Sequence, residues 1–170
     1  EQNAGRADVM VLSTDTLIYG GLVDSRKHNI PLSTLESRLK RIESLKARNK
    51  KVRIYGFGTV MRSPRASGGG TEPAYYAEYG PTIFQIAALQ DKLDSGSLTQ
   101  EETQKLMSLQ ASVPVEYLQD WFDRRQKNMK INKELIDETR SGVFDYFALG
   151  HDDTSQLSQS ALEGRYLSKY

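Results

Sequence analysis

Three short apolar runs alternate with longer amphipathic stretches along the chain. Asp8-Val9-Met10-Val11-Leu12 is bulky and partly β-branched, which predicts a buried strand over 8–12. Leu17 to Val23 is apolar but broken by Gly20 and Gly21, so it reads as a loop packed close to the end of that strand. A helix is predicted over 33–48. Ser33 with Glu36 reads as a capping box, and Leu35, Leu39, Ile42 and Leu45 fall on one face. Its Arg and Lys residues read as a solvated face. Lys51 to Phe57 is the second strand, continuing through Gly58-Thr59-Val60-Met61 to Arg62. Ser63 to Thr71 is rich in Ser and Gly and reads as a loop, at a position where lids are often placed.

A helical insert follows over 72–141. Pro73 and Pro81 suit first turns, and Thr99 with Glu102 forms a second capping box. Pro114 opens a helix with Leu118, Trp121 and Phe122 on its apolar side, and Gly142 closes the insert. The third strand is 143–149, and Ser158 caps a last helix over 159–168. This β-α-β-α-β-α order predicts an α/β fold with a parallel sheet of βα units. It fits part of a TIM-barrel-like or doubly wound domain. A complete barrel takes about 250 residues, whereas this chain has 170 and opens on Glu1 rather than Met. The expectation is one α/β segment of a larger domain, with the rest of its parent chain as a partner.

Charge narrows the partners. Lys and Arg total 23 against 22 Asp and Glu, a net charge of +1, which gives no general pull towards nucleic acid or an anionic membrane. No apolar run reaches the ~20 residues of a membrane-spanning helix. Cysteine is absent, which removes disulfides, thiol nucleophiles and thiolate metal sites. No Gly-x-Gly-x-x-Gly follows the first strand, and the P-loop and Gly-x-Ser-x-Gly patterns are missing. No cofactor is expected.

The chemistry gathers at strand ends, where α/β folds place their sites. Asp15 follows the first strand, Arg62 the second, and Asp152 with Asp153 the third. Adjacent carboxylates repel, so one tends to keep its proton, and a proton donor beside a charged acceptor suits acid/base catalysis. Asp153 is the candidate general acid and Asp152 the polarising carboxylate. Asp15, Tyr19 and Arg62 are candidate substrate binders. The Asp-Asp-Thr-Ser run is also good turn material, and Arg62 could equally close an ion pair with Asp15 or Asp153. Arg124, Arg125, Asn128 and Asn132 recur at helical spacing. Arg125 and Asn128 are candidate hydroxyl binders, against a solvated face as the plain alternative. Asp15, His151 and Asp152 could make a hard-ligand metal site, but no dense ligand spacing supports it, and no metal is assigned. His28, among charged neighbours, reads as a surface residue.

Several of these stretches resemble a bacterial family known only as a domain of unknown function. They are Ala7-Asp8 with Ser13-Thr14-Asp15-Thr16-Leu17-Ile18-Tyr19-Gly20-Gly21-Leu22-Val23-Asp24-Ser25-Arg26, then Val60-Met61-Arg62, Glu72-Pro73, Tyr79-Gly80, Arg124 to Asn128, and Gly150-His151-Asp152-Asp153. Asp24 departs from the small residue expected there. The resemblance implies an internal segment of chains of about five hundred residues that often carry signal peptides, hence export, and it supplies no activity. The Asp-Asp placement is also similar to that of barrel hexosaminidases, a likeness of position only. The function expected from the residues is a carbohydrate-active hydrolase. Its alternatives are a non-catalytic module binding glycans or other polar ligands, and a metal-dependent hydrolase.

Overall fold

The fold is that of a computed structural model, which describes residues 6–66, 70–153 and 155–170. Three strands, β1 (Val9–Ser13), β2 (Arg53–Val60) and β3 (Tyr146–His151), form one parallel sheet in the order β1-β2-β3. Six helices accompany them among the described residues: α1 (Thr14–Tyr19), α2 (Leu32–Arg48), α3 (Tyr76–Asp94), α4 (Gln100–Ser112), α5 (Val115–Arg140) and α6 (Gln159–Lys169). The α/β class with parallel strands is therefore as the pattern predicts. The third strand lies later than 143–149, so Gly150 and His151 are still paired, opposite Thr59 and Val60.

Two apolar cores hold the layers. In the first, Leu35, Leu39 and Ile42 of α2 meet Ile131 and Leu135 of α5 over Ile54 of β2, with Met10, Leu12 and Phe147 packed against them. Each buried large aliphatic side chain contributes roughly 1.5–3 kcal/mol. In the second, Tyr76, Ile83 and Ile86 of α3, Leu106 of α4 and Trp121 of α5 enclose Met61, just past β2. The 26-residue α5 runs through both cores. Gly56 is required where β2 passes under Phe144 and Phe147, because a Cβ there would lie 2.7 Å from both rings.

Some local expectations change. The Gly-broken stretch after β1 begins as a helix. Ser13 caps α1 by accepting from the Thr16 amide, Ile18 and Tyr19 are buried, and Gly20 ends the helix with φ +107°. The docking of Ile18 and Tyr19 on α2 overrides the loop signal of Gly20-Gly21. The Ser33–Glu36 capping box is absent, since α2 starts one residue earlier with Pro31 at its N-cap and no side-chain cap bond. Pro81 sits inside α3 rather than in its first turn. The Thr99–Glu102 box, the Ser158 cap and the left-handed Gly142 form as expected. The centre of the Ser63–Thr71 loop, 67–69, lies outside the described residues, as does Thr154 of the Asp-Asp-Thr-Ser run.

Candidate functional site

Asp15 is the second residue of α1 and only 6% exposed. Its carboxylate accepts a 3.2 Å hydrogen bond from the Thr59 hydroxyl on β2. Thr14 ties the same turn to β2 by donating to the Phe57 carbonyl at 3.1 Å. Gly58 makes that approach possible, because a Cβ there would stand 2.3 Å from the Thr14 hydroxyl. Burial pushes the Asp15 carboxyl up to about 6, against the opposing hydrogen bonds from Thr59. The Asp152 charge pushes it in the same direction, and Arg26 pulls it back. Asp15 and Asp152, on the ends of different strands, thus share one electrostatic site.

An arginine and carboxylate ladder backs this pair. The Arg26 guanidinium, 4% exposed on a 3-10 turn (Asp24–Arg26), donates to the Asp152 carboxylate. Its other side faces Glu72 at 3.7 Å. Glu72, 6% exposed, also receives the Arg62 guanidinium at 2.7 Å and 2.8 Å. Arg62 further donates to the Thr71 hydroxyl at 2.8 Å. So Arg62 closes an ion pair, with Glu72 rather than with Asp15 or Asp153. Asp153 does something different. Its two carboxylate oxygens accept from the backbone amides of Ser63 and Ser155, at 2.9 Å and 2.7 Å, which staples the loops after β2 and β3 together.

Tyr19 is 7% exposed, and its ring stacks on His28 at 5.0 Å. Burial, with the charges of Asp15 and Glu134 behind it, raises its hydroxyl well above the ordinary phenol range. The Tyr19 hydroxyl, Arg26 Nε and Glu72 Oε2 are buried without a hydrogen-bond partner among the described residues. Three orphan polar atoms on residues of one neighbourhood are unusual for a settled interior.

The polar row of α5 is buried, not solvated: Arg124, Arg125, Asn128 and Asn132 are all 5% exposed or less. Arg125 grips Glu163 of α6 through two 2.8 Å bonds and donates to the Met61 and Arg62 carbonyls at 2.6 Å and 2.9 Å. Asn128 donates to the Ser25 carbonyl at 2.9 Å, and its oxygen meets His28 Nε2 at 2.8 Å. Both residues therefore bond to the segments carrying Arg62 and Arg26. His28 is also a correction to the surface reading. It is 8% exposed, and burial holds its imidazole below the usual range despite the bond to Asn128.

The structure thus brings together Asp15, Tyr19, Arg62 and Asp152, and adds Arg26, His28 and Glu72. His151 does not join Asp15 and Asp152. Its ring lies against Gly164 of α6, where a Cβ would meet it at 2.1 Å. Among the described residues no group of three or more His, Cys, Asp or Glu is placed to hold a metal ion. No helix among them is long and apolar enough to cross a membrane.

Comparison with known proteins adds a family and nothing about activity. The family model described as "Protein of unknown function (DUF4127)" matches residues 1–170, so the chain belongs to that family. No curated protein and no solved structure matches it.

Proposed function

We propose that this member of the DUF4127 family is a hydrolase that works by acid/base chemistry at the C-terminal edge of its sheet, with a glycosidic bond as the target. Asp15 is the proton donor and Asp152 the carboxylate. The observation that supports this reading is the pairing of a buried carboxyl raised to about 6 with the carboxylate of Asp152 on the next strand but one. A proton held to near neutrality beside a second carboxylate is the arrangement that glycoside cleavage uses. Arg26 orients Asp152, Arg62 stands at the rim as the substrate binder, and Tyr19 lines the floor. Asp153, occupied by two backbone amides, holds the loop rather than supplying the acid. Arg125 and Asn128 position the segments bearing Arg62 and Arg26.

A second reading, glycan or polar-ligand binding without turnover, is favoured by one feature. Arg26 and Arg62 already spend themselves on Asp152 and Glu72, as a scaffold would. Kinetics on a panel of aryl glycosides separates the two. Asp15→Asn and Asp152→Asn are each expected to lower kcat/KM by about 10²-fold or more, with Asp153→Asn losing less. Turnover unchanged by Asp15→Asn refutes the acid assignment. Saturable binding of a glycan with no turnover selects the second reading.

A further inference from the structure

The turn that brings Arg26 into the site is held by α5. Asn128 donates from Nδ2 to the Ser25 carbonyl at 2.9 Å, and Arg124 Nε donates to the His28 carbonyl at 2.8 Å. The Ser25 carbonyl decides which way the Asn128 amide is turned, since only its amino end can donate. Asn128 Oδ1 therefore faces His28 Nε2, at 2.8 Å, as an acceptor, and Nε2 must bear the hydrogen. On the other side of the ring the Ile30 amide donates to Nδ1 at 3.2 Å. One ring nitrogen is committed as donor and the other as acceptor, which only the neutral imidazole allows. The ring is enclosed as well: His28 is 8% exposed, and Tyr19 of α1 stacks on it at 5.0 Å.

A second proton has no favourable place. On Nδ1 it would meet the Ile30 N–H, donor against donor, and the ring would become a buried cation. The charged groups that act on it most are themselves cations, Lys127 and Arg124 from α5 and Arg38 from α2. Arg124 is partly offset by Asp120 at 2.8 Å. Tyr19, from α1, keeps its proton and brings no charge. Within its own segment, the Asp24 carbonyl accepts from the His28 amide at 3.0 Å, and Lys27 turns away to the Gly70 carbonyl at 2.8 Å. Burial first, and these cations after it, oppose protonation. Stability from the neutral ring is therefore full above the ordinary 6.5 and is lost as the pH falls below it.

We infer that His28 is an acid-sensitive latch on the site: neutral, it clasps the Asp24–Arg26 turn against α5, and protonated, it leaves its place under Tyr19 and draws Arg26 away from Asp152. Arg26 gives the latch its leverage. Its guanidinium donates to Asp152 and faces Glu72, so the same movement breaks the ladder in the middle. The latch consists of hydrogen bonds and packing, and it stands whether or not the site is hydrolytic.

NMR of the intact protein from about pH 8 to about pH 4 tests it, with His28→Gln, whose amide takes no proton, as the control. The ¹⁵N shifts of His28 are expected to show the Nε2–H tautomer at the alkaline end and a protonation midpoint below 6.5. Through that midpoint the protection of the Ile30 amide and of Arg26 Nε–H from exchange is expected to fall by roughly 10-fold or more. In His28→Gln this fall is absent. Should that variant not fold, the parent protein still decides, because loss of Arg26 protection must track the His28 midpoint. An Nδ1–H tautomer, a midpoint at 6.5 or above, or a ring that stays neutral throughout overturns the inference. So does protection at Ile30 and Arg26 that persists through the midpoint or falls equally in His28→Gln.

Discussion

Asp15 is a carboxyl that the fold makes reluctant to ionise. Its value of about 6 lies above the ordinary 3.8. Between those two pH values the folded chain binds more protons at this position than the unfolded chain does. Stability from this group is therefore present below pH ~4 and declines as pH rises through about 6. The rise from 3.8 to about 6 corresponds to roughly 2–3 kcal/mol. Asp15→Asn removes the charge without removing the shape. Its stability relative to the parent chain is expected to rise between pH 4 and pH 7 and then level off, as measured by urea denaturation across pH. A difference that is flat with pH would mean Asp15 titrates normally. The position of Asp15, Arg62 and Asp152 was legible from the sequence because each follows an apolar run that had to be a strand. Arg26 and Glu72 were not legible by that rule. Arg26 sits on a short turn between β1 and α2, and Glu72 lies twelve residues beyond the end of β2. Their only signal was membership of the stretches that carry the family resemblance.

At the scale of elements, the site depends on how closely α1 can lie against β2. Gly58 leaves the space that the Thr14 hydroxyl fills. Gly58→Ala is expected to cost about 1–3 kcal/mol, or roughly 2–10 °C in Tm for a chain of this size. Thr14 must move, and the Thr59–Asp15 bond moves with it, so the Thr59 and Asp15 amide resonances should shift along with the midpoint. An unchanged Tm and spectrum would show that α1 has slack. The helix itself was misread in the sequence for a definable reason. Gly20-Gly21 announces a break, but six residues suffice for a turn of helix when Ser13 caps it and Ile18 and Tyr19 can be buried. Periodicity needs a longer window than that. The long elements, α2 and α5, had enough turns to declare their apolar faces. The buried row on α5 was harder, since Arg and Asn at helical spacing look the same whether they face water or a polar interior.

Across the whole molecule, α5 joins the sheet layer to the helical insert. Ile131 and Leu135 belong to the core under the sheet, while Trp121 belongs to the core of the insert. Between them Arg125 reaches Met61, Arg62 and Glu163, which ties the end of β2, α5 and α6 together. Removing one partner of such a buried pair costs several kcal/mol because the other charge is stranded. Asp15, bonded to Thr59, and Asp152, bonded to Arg26, lie at the same edge of this sheet although they are far apart in sequence. The most direct test of the account is therefore a ¹³C NMR titration of the Asp15 carboxyl. The expected midpoint is about 6, held up mainly by burial, with only a slight fall in Asp152→Asn as the neighbouring negative charge disappears. A midpoint near 4 in the parent chain would contradict the acid/base site at this sheet edge.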